Sequence, residues 1–465
     1  MQALFEQQAK AFQADMLPDL ETRLDRLQRL ETLIVGHHDE WLQVISNDFG
    51  HRSRHETLLG DIMATLACLA HTRRHLKRWM RPRRIPTALM YRPGYNRALR
   101  QPLGVVGVVS PWNYPLYLSL TPALQALAAG NRVMLKPSEL TPRFCEFLQR
   151  AVTDRFDPAE FTVVTGDASV GQAFSQLPFD HLLFTGSTPV GRHIARAAAE
   201  NLTPVTLELG GKSPAILDES CDLAKCVPRL AQNKLFNAGQ TCVSPDYAWV
   251  PRGREAAFET VFRAAAARMY PRLIDNPDYT SVINDRHHAR LQHLLRDAQA
   301  RGARIVPVNQ ANEAVPVGSR KIVPTLVFDV DADMAIMREE IFGPLLPVMS
   351  YDRLDDAIGY INAHDRPLAL YWFGDSSKNR DRVLNGTISG GACVNDCMLQ
   401  VAQEDAPFGG VGASGMGSYH GEQGFLTFSK EKSVYFRSNL SLLKAFSAPY
   451  SPRLEGALKR LRGFL

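Results

Sequence analysis

A chain of 465 residues, 45% of them hydrophobic, can fill more than one sizeable core, which excludes a small disulfide-stapled scaffold and a disordered polymer. Its 53 basic residues nearly balance 48 acidic ones, and a net charge of +5 spread over this length creates no field that demands nucleic acid. Seven cysteines at low density, an odd number, argue against a disulfide framework and for a reducing, cytoplasmic compartment.

The first residues mix charges with apolar side chains and have neither the basic start nor the continuous apolar run of an export signal. No window approaches the roughly 20 uninterrupted apolar residues of a membrane helix, so no integral membrane segment is expected. Residues 1–80 read as helices, because Leu24, Leu27, Leu30, Leu33 and Ile34 recur at three- and four-residue intervals among charges. The basic run 71–84 has only Trp79 as an aromatic platform, and a solvated helix end accounts for it better than a nucleic-acid patch. Pro82, Pro86 and Pro102 break the helical texture, and Pro93-Gly94 between two strand-like runs predicts a projecting hairpin suited to pairing with another domain or subunit.

From 104 to 217 short apolar runs ("GVVGVVS", "RVMLKPS", "FTVVTG", "HLLFTG", "PAILD") alternate with helical segments, the pattern of a parallel sheet flanked by helices. A second αβ region follows to about 390, with strand-like "YAWVP", "ARIVPV", "TLVFDV" and "LPVMSY". Neither an internal repeat nor a low-complexity segment interrupts it. The close cysteine pairs Cys221/Cys226 and Cys393/Cys397 lack zinc-knuckle spacing and matching histidines, so no metal site is expected. The tail can form a short basic helix with Leu454, Leu458, Leu461 and Leu465 on one side, read as a packed surface helix in preference to a membrane anchor.

Several segments hold residues suited to chemistry, each with a bland alternative. "SPWNYPLYLS" fixes Asn113 between Pro111 and Pro115, as an oxyanion donor must be fixed before charge develops; a structural turn amide fits the segment equally. "KPSE" puts Lys136 and Glu139 beyond a strand, where they could hold two ribose hydroxyls or simply pair on the surface. "FTGSTPVG" ends a strand at Gly186, offers Ser187, and opens a helix near Gly191, so backbone N–H groups there would face an anion. Glu208 lies in an apolar strand-like run, where burial would raise its pKa toward that of a general base; a solvent-facing Glu is the alternative. Cys242, in "NAGQTC", sits among small and amide-bearing residues instead of aliphatic ones. "GVGASG", Gly410 to Gly415, fits the dinucleotide fingerprint but lacks its strand and following acid, with Tyr435 about twenty residues on, and reads as a glycine-rich turn.

Taken in order, "PWNYP", "KPSE", "FTGSTPVG", "TLELGGKSP", "NAGQTC", "EEIFGP" and "PFGGVGASGMG" resemble the aldehyde dehydrogenase superfamily over residues 20–437, including the Glu208 to Cys242 separation. "KPSE" and the ending "GMGSYHGEQGFLTFSKEKSV" are similar to its class 3 branch, and "NDFGHRSRHETLLGD" with "KRWMRPRR" resembles bacterial coniferyl aldehyde dehydrogenases. The resemblance implies an α/β fold with a Rossmann-like cofactor domain (1–85 and 102–208) and an α/β catalytic domain (209–395). It also implies a small β oligomerisation extension (86–101 and 425–437), a return to the cofactor domain (396–424) and a C-terminal tail (438–465).

By the same resemblance Cys242 is the nucleophile, Asn113 and the Cys242 N–H hold the oxyanion, and Glu208 activates the hydrolytic water. Trp112, Lys136, Glu139, Gly186, Ser187, Gly191, Glu340 and Phe342 contact the cofactor, with NAD favoured over NADP because the Glu139 carboxylate would repel a 2′-phosphate. Tyr114, Tyr117 and Leu118 are candidates for the aldehyde entrance or for core packing. The implied reaction is oxidation of an aldehyde, aromatic as in coniferyl aldehyde, to the acid. The alternatives are a medium- or long-chain fatty aldehyde, a CoA-acylating enzyme, which Glu208 argues against, and a non-catalytic family member. Relatives assemble as dimers or tetramers, so a homodimer or homotetramer is expected.

Overall fold

The computed structural model describes residues 1–440, 447–450 and 452–462. The periodic N-terminal segment forms helix Leu20–Gly36, started by Asp19, whose side chain accepts the Thr22 N–H at 2.8 Å, and it buries Leu27, Leu30, Leu33 and Ile34. Strands β1 (Arg83–Ile85) and β2 (Tyr95–Pro102) pair antiparallel as the predicted hairpin. Next come β3 (Val105–Val109), β4 (Arg132–Lys136), β5 (Phe161–Val163), β6 (His181–Thr185) and β7 (Val205–Glu208). After them run β8 (Pro214–Leu217), β9 (Tyr247–Pro251), β10 (Arg304–Pro307), β11 (Thr325–Phe328), β12 (Leu345–Tyr351), β13 (Ala369–Phe373) and β14 (Gly391–Val394). The chain returns through β15 (Gly415–Met416) and ends its sheets at β16 (Ser429–Phe436).

Three sheets result: β15-β7-β6-β3-β4-β5, β10-β11-β12-β9-β8-β13-β14, and β1-β2-β16. The first is parallel apart from β15 and the second apart from β10, so both are covered by helices and their inner strands are buried. "PAILD", grouped by alternation with the first αβ region, forms β8 and belongs to the second sheet, beside β13. The strand-like signal is the same in both sheets, and only long-range pairing assigns it.

In the first sheet the chain runs outward from β3 through β4 to β5, then crosses to the other side of β3 for β6 and β7. Loops leaving β3 and β6 therefore diverge and open a crevice at the carboxyl ends of the strands, where ligands of open αβ sheets bind. The loop after β3 carries Trp112 and Asn113, and the loop after β6 carries Gly186 and Ser187. In the third sheet β16 pairs with β2 over eight residues, Ser429↔Pro102 to Phe436↔Tyr95. The basic run 71–84 is partly spent on ion pairs, Arg73 with Glu31, Arg78 with Glu422 and Arg83 with Glu431. The tail helix Pro452–Leu461 leaves Leu458 exposed and Leu454 half-buried, and Leu465 lies outside the described residues. No described helix is long and apolar enough to cross a membrane.

Candidate active site

A cavity of about 760 Å³ occupies the crevice, and Asn113, Glu208 and Cys242 all line it together with Trp112, Gly186, Ser187, Glu340 and Phe342. Cys242 follows helix Leu223–Leu235 through a tight loop in which Asn237 and Ala238 hold left-handed φ of 51° and 50° and Gly239 holds 73°. Such conformations persist only where neighbours over-determine them. Here Gln240 does so from inside: its Nε2 donates to the carbonyls of Asn237 and Ser281, both at 3.0 Å, and its Oε1 accepts the Ile283 N–H at 2.9 Å. The loop also packs backbone to backbone against the segment carrying Phe342, since a Cβ on Gly239 would stand 2.3 Å from the Gly343 carbonyl oxygen.

The Asn113 amide is tied to the same loop. Its Nδ2 donates to the Gln240 carbonyl at 3.1 Å, and Asn237 Nδ2 donates to the Asn113 carbonyl at 3.1 Å. Two buried carboxyls of the N-terminal helices hold this junction from behind. Glu56 accepts the Asn237 N–H at 3.0 Å and the Thr280 hydroxyl at 2.5 Å. Asp61, on the π-helical turn Leu58–Met63, accepts the N–H groups of Leu116 and Tyr117 at 3.0 and 3.2 Å and pairs with Arg52 at 3.0 Å. The donor side chain and the cysteine are thus fixed relative to one another before any ligand enters, as an oxyanion site requires.

Glu208 ends β7, where Thr185 of β6 flanks it on one side and Gly415 of β15 on the other. Neither of its oxygens has a hydrogen-bond partner among the described residues, and burial holds its pKa well above the ordinary carboxylate range. Burial, with the carboxyls of Glu340 and Glu208 adding to it, pushes the Cys242 thiol up to about 12, while the N–H groups of Cys242 and Val243 pull the other way. Glu340 is itself raised to about 8 by burial and by Asp246. His287, against Trp112 at 5.2 Å between ring centroids, is lowered to about 4 by burial and by Arg286 and Arg290, so it is a neutral ring in the cavity wall.

The cavity's far arm has features that suit a dinucleotide. Helix Thr188–Ala199 opens there with no side-chain cap at Ser187, so its first N–H groups are unclaimed by a capping oxygen. The Thr185 hydroxyl beside it is buried without a partner among the described residues. An uncapped helix start with orphaned polar groups, facing a cavity that also exposes Arg192, fits a phosphate-bearing ligand. At the other arm, Trp112 and Phe342 meet edge to face at 5.4 Å, Phe342 holding a left-handed φ of 51°, and make an apolar shelf near Cys242.

Other sequence candidates fall elsewhere. Lys136 ends β4 and Glu139 follows it, both outside the cavity lining and bonded to each other at 3.2 Å. Gly191 is buried beneath its helix, where a Cβ would stand 2.6 Å from Leu209, so it serves close packing. Of the three entrance candidates only Leu118 lines the cavity. Tyr114 is buried, its hydroxyl bonded to Thr241 at 2.7 Å, and Tyr117 is buried with its hydroxyl 3.2 Å from His420 Nε2. "GVGASG" is a reversing turn at the β15 edge, with Gly412 bridging Gly415. Sequence reading missed Glu56, Asp61, His287 and Lys212, whose ammonium bonds Asp246 and the carbonyls of Ile336 and Glu339, the last two at 2.8 and 3.0 Å. Among the described residues no group of three or more His, Cys, Asp or Glu side chains could hold a metal ion.

Known proteins resemble this chain over nearly its whole length. The profile of the aldehyde dehydrogenase family matches residues 1–434. The chain is 47% identical to a Pseudomonas aeruginosa protein named "Probable coniferyl aldehyde dehydrogenase", covering 99% of this chain and 96% of that one. It is 48% identical to the coniferyl aldehyde dehydrogenase of Pseudomonas sp. strain HR199, over 95% and 92% of the two chains. Among solved structures, a substrate-bound Staphylococcus aureus AldH superposes with a TM-score of 0.93 at 36% identity, covering 100% of this chain and 99% of that one. An NAD+ complex of a Bacillus cereus aldehyde dehydrogenase superposes at 0.83 with 27% identity (94% and 88% covered), and an NADP-dependent E. coli enzyme at 0.85 with 28% identity (94% and 90% covered).

Proposed function

The chain belongs to the aldehyde dehydrogenase family, an oxidoreductase that acts on aldehydes with a nicotinamide cofactor, and from that premise we propose oxidation of an aromatic aldehyde of the coniferyl type, with NAD preferred, through a thioester on Cys242. The observation that carries this reading is the convergence of Cys242, the Asn113 amide and the orphaned Glu208 carboxyl on one cavity that also reaches an uncapped helix start. The aromatic assignment is supported by the two Pseudomonas relatives at 47% and 48% identity.

In this reading the Cys242 sulfur, as thiolate, adds to the aldehyde carbon, and the new alkoxide is held by Asn113 Nδ2 and the Cys242 N–H. Donation from the N–H groups of Cys242 and Val243 favours the thiolate against the two nearby carboxyls. A bound nicotinamide supplies the hydride acceptor at this stage. Glu208 then removes a proton from water so that its oxygen attacks the thioester and frees the acid and Cys242. Trp112, Phe342 and the neutral His287 exclude water around the sulfur until that step. Gly186, Ser187 and the helix behind them would hold the cofactor's phosphates, with Glu340 at the ribose nearest Cys242 and Lys136 with Glu139 at the adenine-side ribose. Residues 1–85 and 102–208 serve the cofactor in this scheme, 209–395 the chemistry, and 86–101 with 425–437 a contact between subunits of a cytoplasmic homo-oligomer.

The test is NADH formation from coniferyl aldehyde, hexanal and decanal without CoA, in the wild-type protein and in Cys242→Ala. Coniferyl aldehyde should have the highest kcat/KM and the variant should be inactive. A preference for decanal would replace the aromatic reading with a fatty-aldehyde one, and turnover that needs CoA would replace hydrolysis with acyl transfer.

A further inference from the structure

Ser53-Arg54-His55-Glu56 has the spacing of a capping box, in which the serine caps a helix and the glutamate reaches back to the serine N–H. The first half of the box forms: the Ser53 hydroxyl accepts the Glu56 N–H at 3.3 Å, at the start of helix Arg54–Thr57. The second half is diverted, because the Ser53 N–H donates to the Thr280 hydroxyl at 3.0 Å. Glu56 is thereby released from its own helix. Its buried carboxyl receives the Thr280 hydroxyl on one oxygen and the Asn237 N–H on the other.

The Asn237 bond is the first link of a chain that ends at the oxyanion donor. Asn237 holds its left-handed φ with a full side chain, a conformation that lasts only where the surroundings impose it. Its Nδ2 donates to the carbonyls of Asn113 and Gln240, both at 3.1 Å. The Gln240 carbonyl also accepts Asn113 Nδ2 at 3.1 Å. One carbonyl thus receives both amides, and the Asn113 side chain takes its direction from the loop that Glu56 holds. Glu56 itself does not line the cavity, so it reaches the chemistry only through this chain.

We propose that Glu56 is a positioning residue of the oxyanion site: through Asn237 it sets the direction of the Asn113 amide relative to Cys242, and with it the rate at which the sulfur adds to a carbonyl. The role rests on the reading of Cys242 as the nucleophile. Glu56 makes and breaks no bond in it and carries no proton. Without the carboxyl the Asn237 N–H would be buried and unpaired, and the loop would turn to satisfy it.

Two probes separate this role from a general loosening of the fold. p-Nitrophenyl acetate needs the sulfur and the oxyanion donors but neither an aldehyde nor a nicotinamide, so the identity of the aldehyde does not enter the result. Iodoacetamide alkylates the same sulfur by displacement at a saturated carbon, where no oxyanion forms. Full-length wild type, Glu56→Met, Glu56→Gln, Asn113→Ala and the double variant Glu56→Met/Asn113→Ala are compared by the rate at which Cys242 gains each adduct, read by mass spectrometry. Acetylation of Glu56→Met should be slower by about 10- to 100-fold, with alkylation by iodoacetamide unchanged. Glu56→Gln, which keeps an oxygen for the Asn237 N–H, should recover most of the rate. The double variant should be no slower than Asn113→Ala alone, because the two act as one unit. Should Glu56→Met fail to fold, Asn237→Gly, which suits the left-handed φ and removes the amide, should show the same selective loss. Wild-type acetylation in Glu56→Met, equal slowing with both probes, or losses that multiply in the double variant would overturn the proposal. A wild-type protein that is not acetylated on Cys242 would overturn the nucleophile reading itself, and this role with it.

Discussion

Replacing Gly239 by alanine should cripple turnover without touching a reacting atom. The backbone there has φ of 73°, which costs an L-residue about 1–2 kcal/mol. The added Cβ would also stand 2.3 Å from the Gly343 carbonyl oxygen and 3.0 Å from that of Lys234, both backbone atoms, whereas ordinary contact begins near 3.4 Å. The Asn237–Cys242 loop and the segment after Phe342 must therefore part by about 1 Å, the scale of misplacement that costs roughly 10²-fold in rate. We expect kcat to fall about 100-fold and unfolding free energy to fall by about 2–4 kcal/mol. Gly253→Ala is the control: it shares a left-handed φ of 86°, but a Cβ there meets nothing within 4 Å among the described residues. It should lose only the conformational part, about 1–2 kcal/mol, with kcat unchanged. Steady-state NADH formation and urea unfolding of both variants decide the matter. A Gly239→Ala enzyme with wild-type kcat would refute the idea that this backbone contact sets the position of the nucleophile.

Other outcomes follow from the same geometry. Because burial keeps Glu208 protonated well above the usual carboxylate range and Cys242 is raised to about 12, the basic forms of both gain population as pH rises. The kcat should thus climb as pH rises above neutrality in wild type; a profile that falls with pH would contradict the assignment. Removing the Glu139 charge in Glu139→Gln should lower KM for NADP and raise it for NAD, and unchanged constants would detach this residue from cofactor selection. Light scattering at working concentration should show a homodimer or homotetramer, and an isolated monomer would remove the subunit role given to β2 and β16.

What the sequence reveals of this site is whatever is short in range. A cysteine among small residues, an asparagine between two prolines and a glutamate in an apolar strand each stand out locally, and all three line one cavity. The strands β3 to β6 were legible from alternation for the same reason. Residues that act across long separations were not: Glu56 reaches Asn237 and Thr280, 181 and 224 positions away, and nothing within either segment signals the pairing. Entrance and core packing stayed equal alternatives for Tyr114 and Tyr117 because aromatic content is visible in sequence, whereas the bonds that occupy their hydroxyls, to Thr241 and His420, are set by tertiary packing. The assignment of Pro214–Leu217 to the second sheet was hidden in the same way, since an apolar run is silent about which neighbours it pairs with.

In the proposed cycle Cys242 carries the acyl group and Glu208 releases it. Intact mass spectrometry of Glu208→Gln, mixed with coniferyl aldehyde and NAD and quenched in acid, tests both halves at once. The expected result is one equivalent of NADH in a rapid burst and a protein heavier by one acyl group, located on Cys242 and removed by hydroxylamine. A variant that turns over continuously with no adduct, or one acylated at another residue, would contradict it.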